Sequence, residues 1–382
     1  MLNLDDITLV ASTVACYLVQ SDKIPQHTSI LSGKLYVKEL LETEGEATFR
    51  TAARMDKSTF RKLLSYLLAT TNLHDSRGVQ ADEKLMIFLH TLVGFSSRQT
   101  ADRFQHSAET ISRVVHEVAE SFCSLGDSLF VKADPNAVPR EISDNPKRFP
   151  FFQNCIGALD GCHISAVVPP HQEAVFRNRK QFISQNVLAV VNFDLTFSFV
   201  LAGWEGSAHD GRVLTGAIQN GLPIYPGKFY LGDAGYALQD HCLTPYRGTR
   251  YHLKEWARGG RKPQNYQELF NLRHSSLRNC IERSFGIVKK RFPLLQSMHS
   301  YQLAFQIQLV MSCFMIHNFI RMNQGYEDDF DAWVESEHTS TSDLSTDAIE
   351  SNNESAEELR DQIAQAMWVQ YQHELEKRGG NA

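Results

Sequence analysis

The sequence predicts a mixed α/β protein whose first part is helical and whose middle part carries a β-sheet. Two observations support this fold class. Between residues 58 and 118, apolar side chains recur every three or four positions, as in amphipathic helices. After the proline-containing stretch 134–150, runs of β-branched and aromatic residues alternate with helical patterns. This change of pattern marks a candidate domain boundary.

Helices in the first part are predicted over residues 58–70, behind a capping Ser58, and over residues 82–93. Ser97 can cap a short helix that ends at Phe104, and Ser107 can cap a longer helix with a valine and isoleucine stripe. Two helices joined by a short polar turn are typical of a helix-turn-helix, although any three-helix packing unit gives similar periodicity. On the DNA-binding interpretation, the side chains that contact DNA are Arg98, Thr110, Arg113 and His116.

The predicted sheet begins with two short strands, residues 155–159 and 163–169, on either side of Asp160. A long apolar run that is interrupted at residues 192–194 predicts a hairpin. Pro293 ends a long basic helix. The remaining elements are a short helix, a further strand and that basic helix: residues 210–218, 228–233 and 265–292.

Charge is unevenly distributed along the 382 residues. The total is −6, but residues 327–361 hold thirteen acids and one base, which gives −12 there and leaves +6 on the rest. Residues 250–292 hold eleven lysines and arginines against three glutamates, a local charge of +8. A basic body favours a polyanionic partner such as DNA, although a solvated charged surface gives the same count. The acidic stretch predicts a disordered linker, followed by an amphipathic C-terminal helix.

The cysteines and the first apolar segment disfavour several classes of protein. Seven cysteines without a Cys-x-x-Cys pair suggest neither a disulfide framework nor a zinc ribbon, and therefore a reducing compartment. The apolar residues 7–20 follow two aspartates and are too short to span a bilayer. They predict a helix that packs on the body, and no membrane partner is expected.

Three acids on separate elements form the candidate catalytic site. Asp160 and Asp233 are each predicted at the end of a strand, and Glu282 lies in the basic helix. Carboxylates that are brought together repel one another unless a cation joins them, and Mg²⁺ prefers carboxylate and phosphate oxygens. Two such ions would stabilise the entering and departing oxygens of a phosphodiester displacement. A chain with 44 acids offers such triples by chance, so the spacing alone is weak support.

Further polar residues are candidates for the same site. Asp210 and His209 are expected beside the metal ligands, and Asp210 is more suited to capping the helix that it begins than to binding metal. Several basic residues could contact phosphates, although a solvated surface explains any one of them. They are Arg177, Arg179, Lys180, Arg278, Arg283, Lys289 and Lys290.

Four ordered blocks of sequence resemble those of PIF/Harbinger-superfamily transposases and the nucleases derived from them. The resemblance extends over residues 36–323. The blocks are GALDGCHI, FRNRKQFISQNVLAVVNFDLTFSFVLAGWEGSAHDGRVL, FYLGDAGYAL with TPYRGTRYHL, and NLRHSSLRNCIERSFGIVKKRFPLL. Cys162, in the first block, stands where threonine is expected in many relatives.

This resemblance implies a ribonuclease H-like fold of the retroviral integrase type, in which helices flank a mixed sheet. It implies that Asp160, Asp233 and Glu282 hold two Mg²⁺ or Mn²⁺ ions. It also implies a nuclear enzyme that cuts and joins double-stranded DNA at terminal inverted repeats, often with a separate Myb-like protein. A homo-oligomer is a further expectation.

The predicted domains are, in order, an N-terminal helix with its lead-in, a helical domain with the helix-turn-helix, a ribonuclease H-like DDE domain, an acidic disordered linker and a C-terminal helix: residues 1–48, 49–148, 149–324, 325–354 and 355–382.

Two other functions stay open from the sequence. The chain could keep its three acids and act as a DNA-binding or recruitment protein that does not cut. It could also be a metal phosphohydrolase for small phosphates, although the basic excess of residues 250–292 is larger than such substrates need.

Overall fold

The structure is a computed structural model that describes residues 26–250, 262–324 and 354–379. Helices flank a five-stranded mixed sheet, so the predicted mixed α/β class is confirmed. Several predictions lie outside the described residues. These are the helix over residues 7–20, nearly all of the acidic linker, and residues 251–261 of the basic region.

The described chain begins with a group of helices that precede the sheet. Most of them surround the fourth helix, which is buried along almost its entire length and contacts the other five longer helices. A helix that is buried on all sides belongs at the centre of a packed group. Asp56, rather than the predicted Ser58, occupies the N-cap of the third helix. The helices are α1 (Gly33–Glu42), α2 (Ala47–Ala53), α3 (Lys57–Thr70), α4 (Ala81–Leu92), α5 (Ser97–Phe104), α6 (Ala108–Ser124) and the short α7 (Arg140–Ser143).

A three-residue turn separates α5 and α6, and side chains cap both helices. Ser96, not the predicted Ser97, caps α5, because its hydroxyl accepts from the Gln99 N–H while the Gln99 side chain accepts from the Ser96 N–H. Ser107 caps α6 as predicted, by accepting from the Thr110 N–H. The predicted apolar stripe of α6 is buried: Ile111, Val114, Val115 and Val118.

The sheet has the strand order β3-β2-β1-β4-β5. The pairs β1–β2 and β2–β3 are antiparallel, whereas β1–β4 and β4–β5 are parallel. The predicted hairpin at residues 192–194 is confirmed, and the β1–β2 connection contains the short helix α8 (Glu173–Phe176). The strands are β1 (Cys155–Ser165), β2 (Ser184–Val191), β3 (Phe197–Glu205), β4 (Phe229–Leu231) and β5 (Cys242–Leu243).

The prediction of two short strands around Asp160 is wrong. β1 is continuous, and Asp160 lies in its middle, opposite Ala189 of β2. Strands disfavour aspartate because its carboxylate must be compensated where the strand is covered. Here the Gly161 N–H donates to Oδ1 of Asp160 at 2.9 Å, and a buried arginine compensates the other oxygen. The strand can therefore continue through this position.

Different helices cover the two faces of the sheet. On one face, α9 (Asp210–Gln219) packs against β2. On the other face lie α10 (Tyr266–Arg291), which crosses β1 and β2, and α11 (Leu303–Gln324), which packs on β3. Neighbouring residues of β1 serve opposite faces, since Leu159 packs on the α9 side and Ala158 on the α10 side. This alternation directs Asp160 towards α10.

Within the described residues, α11 is the one helix that is long and apolar enough to cross a membrane, by length and composition alone. However, 72% of its most apolar 18-residue window is buried inside the protein. It packs against α3, α6 and β3. These contacts make α11 a central helix of the apolar core.

The predicted C-terminal helix is present as α12 (Glu354–Gly379), which packs along α10. The Tyr246 hydroxyl donates to the Asp361 carboxylate, and the Arg360 guanidinium lies 4.1 Å from the centre of the Tyr246 ring. Further along the helix, Arg273 of α10 donates to the Gln370 side chain at 3.1 Å. One apolar cluster extends from α1 through the sheet to α12, so all these elements share a core.

Asn318 is a fully buried polar residue that ties α11 to the sheet. Its side-chain oxygen accepts from the Phe197 N–H at 2.8 Å, and its amide donates to the carbonyls of Phe197 at 2.7 Å and Leu129 at 2.8 Å. Asn318→Ala would remove all three of these hydrogen bonds from the core, although the Phe197 carbonyl would keep another donor, the Val131 N–H at 3.0 Å. We therefore expect the free energy of unfolding to fall by about 2–4 kcal/mol, measured by chemical denaturation.

Asn323→Ala is the matched control on the same helix. Asn323 is half-buried and donates to the Phe319 carbonyl one turn earlier. We expect this variant to change the free energy of unfolding by less than about 0.5 kcal/mol. Equal losses in the two variants would contradict the role of Asn318.

Candidate active site

Asp160 and Asp233 lie on neighbouring parallel strands at the same level of the sheet. Ala158 of β1 is opposite Leu231, the last residue of β4. Asp160 and Asp233 each follow two positions later along their own segments. Asp160 lies within β1, whereas Asp233 lies just after the end of β4, so the two acids occupy neighbouring segments of the sheet. The charge of Asp233 raises the pKa of Asp160, in keeping with this proximity.

Glu282 reaches the same place from α10, and Arg278 lies one helical turn before it. Nη2 of Arg278 is 2.6 Å from Oδ2 of Asp160, and Nη1 is 2.9 Å from Oε1 of Glu282. The Arg278 side chain is only 1% exposed. The structure thus places Arg278 beneath the acids, and not at the solvent-exposed phosphate contact expected from the sequence. The physical reason is the i, i+4 spacing of Arg278 and Glu282 on a helix that covers β1.

Asp160 is subject to both burial and like charge. Its side chain is 20% exposed, and burial raises its pKa. The Arg278 guanidinium opposes this shift, but Asp233, Glu282 and Asp210 each add to it, and the pKa is raised to about 7. The site therefore carries more negative charge than its own basic residue compensates.

Asp210 and His209 lie at the start of α9, on the opposite face of β1. The cap predicted for Asp210 is wrong, because His209 is the N-cap and its Nδ1 accepts from the Gly211 N–H at 3.1 Å. The Asp210 carboxylate accepts instead from the Asn186 side chain at 3.4 Å. It faces Gly161, where an added Cβ would lie 3.1 Å from its Oδ1. Glycine at this position thus lets Asp210 approach the strand that carries Asp160.

Tyr236 places a buried hydroxyl among these acids. Its side chain is 1% exposed, and the hydroxyl has no hydrogen-bond partner in the part of the chain that the structure describes. Burial, followed by the charges of Asp210, Asp160 and Asp233, raises its pKa well above the ordinary value. Burial and Asp233 likewise raise the pKa of Asp210. A buried donor without a protein partner beside three acids indicates a place for water or another ligand.

In chemistry, these residues fit a hard divalent cation. Carboxylates from three elements supply the oxygen ligands that Mg²⁺ and Mn²⁺ prefer, and Tyr236 could donate to the water such ions retain. Their positions in the structure, however, do not form an open metal-binding site. Over residues 26–250, 262–324 and 354–379, no group of three His, Cys, Asp or Glu side chains is placed to hold a metal ion. The Arg278 guanidinium lies between two of the acids instead.

The other basic residues of α10 are only partly accessible. Lys289 is half-buried, and its ammonium donates to the His163 carbonyl at 3.1 Å, near the end of β1. Arg283 and Lys290 are also half-buried. The long basic helix therefore uses part of its charge within the protein.

The β1–β2 connection carries three basic residues that are exposed to solvent. Arg179 and Lys180 are exposed. Burial lowers the pKa of His163 to about 4, and the charges of Lys289, Lys180 and Arg179 contribute to that shift, so these residues surround the end of β1. Arg177 is exposed as well, but it pairs with a neighbouring glutamate at 3.1 Å, which partly neutralises its charge.

The residues predicted to contact DNA from α5 and α6 fall into two groups. Arg98 and Arg113 are exposed, whereas Thr110 and His116 are half-buried. The His116 ring stacks on Phe305 of α11, with 3.7 Å between ring centres and 9° between planes. His116 thus packs α6 against α11 and does not point outward as expected, because α11 covers that face of the helix.

Two polar neighbours of the acids, a histidine near the end of β1 and one exposed aromatic ring are not among the site residues predicted from the sequence. Phe182 is 43% exposed, and its ring lies edge-on to His163 at 6.4 Å. Asn186 is opposite His163 only because β2 pairs with β1, and no local motif signals that register. For Arg278 a signal existed, since its four-residue spacing from Glu282 is that of a helical ion pair. The missed residues are His163, Phe182, Asn186 and Tyr236.

Asp160 should make the metal-free protein less stable as the pH rises. Its folded pKa of about 7 exceeds the ordinary value of 3.8, so the folded state binds the proton more tightly. Stability then falls between about pH 4 and pH 7. In a chelating buffer, we expect Asp160→Asn to gain roughly 1 kcal/mol per pH unit relative to wild type between about pH 5 and pH 7, measured by urea denaturation. Parallel profiles for the two proteins would refute the raised pKa.

Two segments of the chain match known protein families. Residues 159–318 match the family described as DDE superfamily endonuclease, and this range contains Asp160, Asp233 and Glu282. Residues 28–124, which include α1 to α6, match a domain of unknown function. No solved structure matches the chain significantly.

Curated relatives cover most of the chain at low identity. "Protein ALP1-like" of Arabidopsis thaliana is 25% identical over 301 residues, which are 72% of this chain and 70% of the relative. "Putative nuclease HARBI1" of Homo sapiens is 23% identical over 295 residues, which are 72% of this chain and 79% of the relative. The Mus musculus protein of the same name is 24% identical, with the same shares covered. Residues 159–318 are therefore similar to the DDE superfamily endonucleases, and 72% of the chain is similar to proteins named ALP1-like and putative nuclease HARBI1.

Proposed function

We propose that the protein is a divalent-metal-dependent DNA nuclease or transposase that breaks and joins phosphodiester bonds. The observation that carries this proposal is the convergence of Asp160, Asp233 and Glu282 from β1, the end of β4 and α10. Acids that share a site without full compensation are suited to binding a cation. The range that matches the endonuclease family, residues 159–318, includes all three acids.

The sheet supports a ribonuclease H-like fold of the integrase type. The central strand β1 has an antiparallel hairpin on one side and two parallel strands on the other. Catalytic acids then come from the central strand, from the end of its parallel neighbour and from a helix that crosses the sheet. The sheet and the long helix fix the positions of Asp160 and Glu282, and Asp233 follows directly after a strand of the same sheet.

In the proposed mechanism, Asp160, Asp233 and Glu282 would hold two Mg²⁺ or Mn²⁺ ions. When bound, such ions activate the attacking water or hydroxyl and stabilise the charge on the phosphate oxygens. Tyr236 would orient water beside the acids through its buried hydroxyl. Asp210, held by Asn186, and His209, which caps α9, would position the neighbouring strand and helix.

DNA would approach over the exposed basic residues near the end of β1. Arg179 and Lys180 are the accessible members of this group, and Lys289 lies behind them. Arg98 and Arg113, exposed on α5 and α6, would contribute phosphate contacts from a helix-turn-helix. Arg177, Arg283 and Lys290 have smaller parts in this proposal because they are paired or half-buried. Specificity for terminal repeats, a Myb-like partner, a homo-oligomer and a nuclear location stay predictions.

A second function is favoured by one observation. Arg278 bonds two of the three acids, and the described residues present no open three-ligand site. A protein that keeps this arrangement on DNA would bind or recruit without cutting. Metal-dependent nicking separates the two functions.

Asp233→Asn should abolish cleavage of duplex DNA in the presence of Mg²⁺ or Mn²⁺. Asparagine has nearly the same shape and can still accept the Gly235 N–H bond that Asp233 makes at 2.9 Å. It lacks the charge that the proposed ions need, so we expect the cleavage rate to fall by at least about 10³-fold, measured by nicking of supercoiled plasmid.

Asp240→Asn is the matched control for this substitution. Asp240 is an exposed aspartate seven residues further along the same connection. Its variant should cleave at the wild-type rate. Cleavage by Asp233→Asn at that rate would reject the proposed site, and lack of cleavage by every variant and by wild type would favour recruitment.

The pair Arg179→Gln and Lys180→Gln should weaken DNA binding through lost phosphate contacts. In the double variant, the slope of log binding constant against log salt concentration should become shallower by about 2, measured by fluorescence anisotropy. Lys62→Gln, which removes an exposed lysine from α3, serves as the control and should leave the slope nearly unchanged. An unaltered slope in the double variant would move the DNA path elsewhere.

A further inference from the structure

Arg278 joins two of the three acids. Its guanidinium bonds Oδ2 of Asp160 at 2.6 Å and Oε1 of Glu282 at 2.9 Å, and its side chain is 1% exposed. A buried guanidinium is costly unless carboxylates and hydrogen bonds compensate it. Two of its partners, Asp160 and Glu282, are proposed metal ligands.

The oxygens of Asp160 are both engaged in this arrangement. Oδ1 accepts from the Gly161 N–H at 2.9 Å, and Oδ2 pairs with Arg278. A divalent ion needs lone pairs of the same carboxylate, so it must share an oxygen with the guanidinium or displace it. Glu282 is less constrained, since its side chain is 38% exposed.

The excess of negative charge around Asp160 lets a divalent ion compete with Arg278 for these carboxylates. Asp233 and Asp210 add negative charge around Asp160, so four carboxylates lie near one buried arginine. A single guanidinium compensates one of these charges, and a divalent ion compensates two. The guanidinium is also large and planar, so it bonds two carboxylates at its edge but cannot be surrounded by three or four oxygens as an ion can.

We propose that Arg278 is a positioning residue that holds Asp160 and Glu282 in the metal-free protein and competes with the divalent ion for them. Metal loading then requires Arg278 to release at least one carboxylate. The apparent metal affinity is reduced by the fraction of molecules in which Arg278 stays in place. Because this role rests on the proposed metal-dependent function, the test measures metal binding separately from cleavage.

Titration of the full chain with Mn²⁺ measures the competition directly. Arg278→Gln removes the positive charge and keeps a polar side chain. We expect the apparent Mn²⁺ affinity of this variant, measured by calorimetry, to be higher than that of wild type by about tenfold or more. Its thermal midpoint should be lower than that of wild type without metal, and the rise on adding Mn²⁺ should be larger.

Arg278→Lys keeps the protein testable if the glutamine variant folds poorly. Lysine retains the buried positive charge but lacks the planar fork that bonds two carboxylates together. We expect its Mn²⁺ affinity to lie between those of wild type and Arg278→Gln. A residue that only filled space would not produce this graded order.

Arg291→Gln is the matched control for losing a buried arginine from α10. Arg291 is fully buried on the same helix, and its guanidinium lies 3.0 Å from Nδ1 of His317 on α11. We expect its thermal midpoint to fall by a similar amount with and without Mn²⁺, and its Mn²⁺ affinity to match that of wild type.

The outcomes separate this inference from the proposed function. If wild type binds Mn²⁺ and both Arg278 variants bind it equally or more weakly, the competition is overturned while the metal site stands. If neither wild type nor any variant binds Mn²⁺, both are overturned. Binding by the Arg278 variants alone would support the competition, with Arg278 as a complete block in the native chain.

Discussion

Like charges that are gathered in one place within a protein require a positive charge beside them. Four acids meet around the middle of β1, and three of them raise the pKa of Asp160. Water reaches this place only partly, so it cannot supply the missing compensation as it would at an open surface. A cation beside these acids lets them stay ionised together, whereas without enough positive charge Asp160 binds a proton more tightly, as its raised pKa indicates. In the metal-free protein that cation is the guanidinium of Arg278.

A few secondary-structure elements supply both the acids and the arginine that compensates them. The central strand carries Asp160, its parallel neighbour leads into Asp233, and α10 contributes both Arg278 and Glu282. The opposite face of the same strand is approached by Asp210, and a glycine at position 161 leaves the space for it. Arg278 and Glu282 thus come from the same helix, so a substitution of either residue changes the charge that surrounds the other.

Short sequence patterns predict individual helices and strands, whereas long-range contacts decide how these elements pack together. The hairpin and the helix that ends before Pro293 follow from short-range rules of turn and proline, whereas the choice of the three acids rests mainly on the family resemblance of the ordered sequence blocks. The continuity of β1 does not follow from such rules, because it depends on how β2 and Arg278 compensate Asp160. The outward position expected for His116 failed for a similar reason, since α11 covers it from almost 200 residues away in the sequence. Long-range contacts of this kind leave no trace in a local window.

The place of α11 in the chain bears on how a ribosome can deliver this protein. An apolar helix of this length is a hazard while it is bare, because membranes and other nascent chains bind such segments. Its packing partners α3, α6, β3 and α10 are all encoded before it. During synthesis they emerge first, so the surface that receives α11 can already exist when the helix leaves the exit tunnel. The order of the elements in the sequence thus shortens the time for which the apolar surface of α11 is exposed during synthesis.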